Sequence, residues 1–173
     1  PELLDSNHAH ILINGAYMRH ELALDDVRLE LMLRLAAGTP EPERVLGEAM
    51  ARSMKSATGL PAYTYAGSNA VKVGEHPYLW ARNLMANRLF LCPVVYLEPY
   101  VANGREAYAA IQAWLQDGEE RFLETYADFV AEGLVHGVAE LREAGGRPSL
   151  QARRTTATGS RPSAADSSRP TKD

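Results

Sequence analysis

The sequence predicts an α/β fold in which helices flank a mostly parallel sheet. Three observations predict it. Stretches with helical apolar spacing alternate along the chain with short apolar runs. The run CPVVYLE, residues 92–98, is apolar until its final acid, as expected of a central strand covered on both faces. Prolines and glycines fall between the helical stretches, at 39–42 (TPEP) and at Gly59 and Pro61, where they start and stop helices.

The elements follow in order. ELLD (2–5) is a short apolar segment that ends in the polar cluster SNHAH (6–10), and ILING (11–15) reads as a second short strand or a loop. Over 21–37 the apolar residues Leu22, Leu24, Val27, Leu29, Leu31, Met32 and Leu35, most of them at helical spacing, predict a helix closed by Gly38. A second helix is predicted over 43–58, with Val45, Leu46, Ala49, Met50, Ser53, Met54 and Ala57 on one side, Gly59 as its C-cap and Pro61 preventing continuation. AYTYAG (62–67) alternates like a short strand, and 68–77 is a loop with a brief extended piece. YLWARNLMANRLF (78–90) reads as a helix leading into the strand at 92–98. Helices are predicted over 105–115 and 119–143, the second weakened by Gly133 and Gly137 in its interior.

The chain of 173 residues suits one domain with a sizeable core. The fold is expected over 1–144. Residues 145–173 carry no aromatic side chain and are rich in Ser, Thr, Pro and Arg, so a disordered basic tail is expected there. From Arg147 onward six basic residues stand against two acids, which leaves a formal charge of -8 on the preceding part of a chain whose total is -4. That balance gives a nucleic-acid partner no electrostatic support. No apolar run is long enough for a transmembrane helix. Cys92 is the single cysteine, so no internal disulfide and no cysteine-based zinc site can form, and packing is its expected role. The chain opens on Pro1 in what reads as mid-strand, and an N-terminally truncated domain is expected. The sequence leaves the oligomeric state and the compartment open.

Chemistry in an open α/β sheet gathers at strand ends. Glu98 ends the strongest predicted strand, and Pro99 fixes the turn after it. His8 stands just past the apolar residues 3–4. An imidazole and a carboxylate facing each other across a sheet edge suit zinc-dependent hydrolysis: the imidazole binds the metal and the acid moves protons. A plainer reading pairs Glu98 with Arg82 or Arg88 as a buried ion pair and leaves His8 as a hydrogen-bonded loop residue. His10 is an alternative metal ligand. His20 with Glu21 and His76 with Glu75 are weaker pairs, and His136 is expected to face solvent or to pack. Tyr63, Tyr65, Tyr78 and Trp80 are candidates for an aromatic wall, with core packing as their ordinary role. No nucleophile elbow and no phosphate-binding loop is present.

SNHAH at 6–10, followed by PVVYLEPYVAN at 93–103, resembles the zinc-dependent N-acetylmuramoyl-L-alanine amidases that cleave bacterial cell wall. The likeness extends over roughly residues 5–111 and includes the predicted helices at 43–58 and 78–90. The resemblance implies the C-terminal portion of a zinc amidase (phosphorylase/hydrolase-like) fold and Zn2+ as cofactor. It implies His8 as a zinc ligand, Glu98 as general base and acid, and Asn103 as the asparagine of the closing motif. Asn69 and Arg82 are expected near the substrate as oxyanion donors. In that family a further His and Glu ligand come from earlier sequence, so they are expected upstream of Pro1 and this piece alone is expected to hold zinc weakly. Three positions depart from the family pattern: Asn7 replaces an apolar residue, His10 an asparagine, and the interval from Glu98 to Asn103 is one residue shorter. The implied substrate is peptidoglycan or a muropeptide, which would put the protein in the cell envelope or periplasm. Two other readings remain open: a zinc hydrolase of N-acyl amino acids or peptides, and a catalytically inactive α/β module that binds cell-wall fragments or a protein.

Overall fold

The computed structural model describes residues 2–116 and 118–146. Its elements run β1 (His10–Ile13), α1 (Asp25–Ala36), α2 (Pro40–Thr58), β2 (Ala70–Lys72), β3 (Leu79–Arg82), α3 (Met85–Arg88), β4 (Tyr96–Glu98), α4 (Arg105–Gln116) and α5 (Glu119–Gly146). The α/β class holds. The predicted tail lies outside the described residues beyond 146, and α5 continues through Gly145 to Gly146. Among the described residues no helix is long and apolar enough to cross a membrane.

The sheet is small and mixed rather than mostly parallel. Its order is β2-β3-β1-β4. β1 and β3 are parallel, while β4 runs antiparallel to β1 and β2 antiparallel to β3. Chain length explains the β2–β3 pairing. Only 73–78 separate these two strands, too few for the crossover that a parallel neighbour needs.

The central strand is also not the one expected. β1, from the ILING region, has all four residues buried and pairs on both sides. The run at 92–98 contributes only β4, at the sheet edge. Cys92 and Pro93 before it are exposed, so the cysteine does not pack in the core. The Val94 amide donates to Glu43 at 2.9 Å instead of to a strand. The helix expected over 78–90 is overturned as well. Leu79, Trp80 and Ala81 are buried beside β1, and only Met85–Arg88 turn helically. Burial against a neighbouring strand outweighs the helical spacing of that stretch. The 2–5 and 62–67 segments make single bridges, Leu4 to Gly104 and Ala9 to Ala62, rather than strands.

Four helices form where expected, within a few residues. α2 starts on Pro40 and ends at Gly59, whose φ of 64° supplies the left-handed C-cap. Ala49, Met50, Ser53 and Met54 on its predicted side are buried, and Met50 and Met54 join Ile11, Ile13, Leu79 and Phe129 in the main core. α1 has the expected spacing but a different role. Only Val27 and Arg34 are buried along it, and Leu29, Met32, Leu33 and Leu35 face outward.

The two glycines inside α5 are contact points. A Cβ on Gly133 would lie 2.7 Å from Met50 Sδ and 2.9 Å from its Cα, and one on Gly137 2.8 Å from Leu46 Cδ2. They let α5 approach the backbone of α2. Helix propensity alone favours alanine over glycine by about 1 kcal/mol. Gly133→Ala should nevertheless lower stability, by about 1–3 kcal/mol of overpacking, read as a fall in the urea midpoint; a rise would show that the approach is loose.

A buried ion pair joins α1 to α2. Arg34 and Glu43 are each 1% exposed and hydrogen-bond to one another. Arg34 also donates to the carbonyls of Phe90 and, at 3.4 Å, Cys92. Together with the Glu43–Val94 bond, these contacts fix the loop that enters β4. Removing one partner of a buried pair strands the other charge. Glu43→Gln should therefore cost about 3 kcal/mol in chemical denaturation, and a change under about 0.5 kcal/mol would mean that water already reaches Arg34.

Candidate active site

The strand register builds a polar cluster at one end of β1. His10 stands directly opposite Glu98 in the β1–β4 ladder. Directly opposed residues share a face of the sheet. His10 Nε2 lies 3.1 Å from Glu98 Oε2. His8, two residues earlier, falls on the same side because side chains alternate along extended chain. Its ring centroid is 6.0 Å from that of His10.

The 61–65 segment runs beside this edge, held by Ala9 N–H to Pro61 O at 3.0 Å and Tyr63 N–H to Ala9 O at 3.2 Å. Alternation then presents Tyr63 and Tyr65 to the histidines. Tyr63 stacks on His8 with centroids 4.4 Å apart. The Tyr65 hydroxyl is 2.8 Å from His10 Nε2. Tyr65 also sits edge-on to Trp80, and the Arg82 guanidinium lies 5.6 Å from its ring centroid. An open cleft of about 500 Å³ is lined by His8, His10 and Glu98, with Tyr100 and Tyr126 among its walls.

The expected convergence of His8 and Glu98 on one cleft is found. Glu98 is not, however, a buried acid paired with arginine. Its side chain is 43% exposed and its partner is His10. Arg88 pairs with Glu30 instead. Asn69 precedes β2, and Asn103 sits in an exposed turn where its side chain donates to Glu2 O at 3.3 Å; neither is among the cleft residues. Of the aromatic candidates, Tyr63 and Tyr65 join the cluster. Tyr78 is buried with its hydroxyl on Leu60 O, and Trp80 backs Tyr65 from the core. His20 and His136 are exposed. His76 takes part in a loop held by the Glu48 carboxylate. Sequence reasoning ranked His10 behind His8; the alternation of His8 and His10 just before an apolar run was the signal that both face one way.

Burial governs the charge state of the imidazoles. It lowers the pKa of His8, with the Glu98 carboxylate pulling upward as the lesser effect. It lowers His10 to about 4, helped by repulsion from His8 where that ring is protonated and by the positive charge of Arg82. Both rings are therefore neutral at pH 7, the form that accepts a metal or a proton. Burial raises the Tyr65 phenol, and a hydrogen bond from Arg82 draws it back.

The donors match zinc in kind but not in number. Among the described residues no group of three or more His, Cys, Asp or Glu is arranged to hold a metal ion. His10 is the poorer donor of the two imidazoles. Its Nε2 already faces Glu98 and Tyr65, and its Nδ1 is buried without a partner. His8 is only half-buried and opens onto the cleft. No family model, curated protein or solved structure matches this chain.

The buried neutral His10 makes stability depend on pH. Unfolded, it takes a proton near its ordinary 6.5; folded, only near about 4. Between those values the unfolded chain binds more protons, so stability falls as pH falls, by up to about 3 kcal/mol at about 1.4 per unit. Urea midpoints from pH 7 to 4 should drop more steeply for wild type than for His10→Gln. The opposite order would mean that His10 is charged and paired with Glu98.

Proposed function

We propose that this protein hydrolyses amide bonds with zinc, and that its substrate is the bond between N-acetylmuramic acid and L-alanine in peptidoglycan. The observation that carries the reading is the His10–Glu98 pair across β1 and β4, with His8 on the same cleft. The motif resemblance around SNHAH and PVVYLEPYVAN supplies the substrate class, and on this reading the described fold is the C-terminal portion of an amidase domain.

His8 would be this chain's contribution to the zinc site, with His10 as the alternative. Bound zinc supplies a water acidified toward neutral pH. Glu98 takes a proton from the attacking water at a carboxylate oxygen that faces the cleft. It returns that proton to the departing amine, so that the C–N bond breaks as the amine becomes neutral. His10 holds the other side of the carboxylate from the protein interior, which fixes its direction of attack. Arg82 supplies positive charge beside Tyr65 at the edge of the cluster. The expected roles of Asn69 and Asn103 in substrate binding would require substrate to reach beyond the cleft.

A second reading has its own support. The cleft carries Tyr100 and Tyr126, and its His8 is stacked on Tyr63. These features suit a module that binds wall fragments without cutting them. N-acyl amino acids or peptides are the rival substrates for the same chemistry.

The test uses full-length protein supplied with zinc, assayed on muropeptides and on N-acyl amino acids, with metal content measured alongside. Release of the L-alanine amino terminus from muropeptides is expected. Glu98→Gln should keep the metal and lose about 100- to 10,000-fold in turnover. Binding of wall fragments with no hydrolysis of either substrate class would replace the enzyme by the module.

A further inference from the structure

We propose that the outer face of α5 is a homodimer interface, on which a second copy of this chain docks antiparallel about a twofold axis beside Val135. The inference stands apart from the amide-hydrolase reading.

The inner face of α5 is accounted for. Phe129 joins the main core with Tyr126 packed against it, and Gly133 and Gly137 meet Met50 and Leu46 of α2. The opposite face of such a helix is ordinarily polar. Here it is not. Ala127, Ala131, Leu134, Val138 and Leu141 recur at alternating steps of four and three residues, the spacing of a coiled-coil seam. All but the half-buried Leu141 are exposed, and Val135 on the flank of the seam is 67% exposed. The seam runs about 21 Å from Ala127 to Leu141 at 1.5 Å per residue. Glu124, the next seam position toward the N-terminus, ends it.

The charges beside the seam select its partner. Glu132 and Glu140, on the other flank of α5, are already engaged by Ser53 and Arg52. Asp128 and Arg142 are exposed, and among the described residues neither has a hydrogen-bond or ion-pair partner. They stand two heptads apart, so both project along the same side of the seam as Val135. About four helical turns separate them, too far to join within one copy. Two antiparallel copies join them. With Val135 of each copy near the axis, Leu134 meets Val138 of the second copy, and Ala131 meets its Leu141. The same register sets Asp128 against Arg142 of the second copy, and the twofold axis repeats that pair. Parallel docking would bring like residues level and leave both charges unmatched. One register thus satisfies the apolar and the charged residues together.

The seam supplies the association, because exposed ion pairs add little affinity. The two pairs set direction by excluding other registers. Tyr126, the α5 residue in the wall of the candidate cleft, lies on the core-facing side, so docking leaves the cleft open.

Sedimentation velocity of full-length protein over about 1–200 µM, the range in which a small interface is populated, should show a monomer–dimer equilibrium. Val138→Asp enters the seam twice by symmetry and should weaken the dimer at least about 100-fold, with an unchanged far-UV spectrum because the position is exposed. Asp128→Arg alone and Arg142→Asp alone should each weaken it about tenfold. Mixing those two variants should restore dimer as the mixed species, and the double swap in one chain should restore it as well. Neither recovery depends on a seam variant that might misfold. A wild type that stays monomeric overturns the proposal. A dimer indifferent to Val138→Asp overturns it too, since another face, such as the exposed leucines of α1, would then be holding the copies together. Charge variants that dimerise like wild type, or that gain nothing on mixing, overturn the antiparallel register.

Discussion

The Arg34–Glu43 pair is the constraint on which the position of the site depends. β4 is three residues long and lies at the sheet edge, with one neighbour. A strand that short does not fix its own register. What precedes it is a loop containing an exposed cysteine and proline. The buried pair grips that loop at three backbone groups, the carbonyls of Phe90 and Cys92 and the amide of Val94. Two residues after Val94 the chain enters the ladder with Glu98 opposite His10. A shift of one residue would turn Glu98 to the other face of the sheet and dissolve the cluster. The helices thus set the geometry of the candidate site at a distance, through the buried Arg34–Glu43 pair.

From that register the rest of the site follows. Period-two alternation puts His8 with His10 and Tyr63 with Tyr65, and two backbone bonds around Ala9 bring the segments side by side. Four side chains of the candidate site therefore come from two extended stretches that are not strands for most of their length. Each stretch is pinned at Ala9 and Ala62, a bridge of small residues that leaves room for the rings on either side.

How far the sequence was legible varies with the reach of the signal. The helices were readable because their signals are local: Pro40 and Gly59 bound α2, and its buried side repeats with the expected spacing. The strands were not, because three or four residues are too few to show a period. YLWARNLM carries Leu79, Arg82 and Met85 at helical intervals, yet the hydrogen bonds of its first residues go to β1, a choice made by a neighbour about seventy residues away in the chain. CPVVYLE and HILI exchanged roles for a related reason. Both are apolar runs, and only contact with α2 and the flanking strands decides which becomes central. Glu98 and His8 were found because an acid and an imidazole beside apolar runs stand out. The pairing of His10 with Glu98 was hidden, since it depends on a register that no local pattern encodes. Gly133 and Gly137 looked like weak points of α5 until Met50 and Leu46 were seen against them.

The imidazole at position 10 is a poor choice for stability alone. It is 4% exposed, its Nδ1 lacks a partner, and its burial disfavours the charged form. A leucine in the same place would extend the apolar face of Leu12 and leave no polar atom unmet. An unmet buried acceptor costs about 1–3 kcal/mol, a noticeable share of the few that keep a domain folded. What the histidine provides in return is a polar contact: its Nε2 lies 3.1 Å from Glu98 Oε2 and 2.8 Å from the Tyr65 hydroxyl. A charged lysine or arginine there would bind the same acid more strongly and weaken it as a base. A neutral ring contacts the carboxylate without neutralising it, as the proton-transfer role proposed for Glu98 requires.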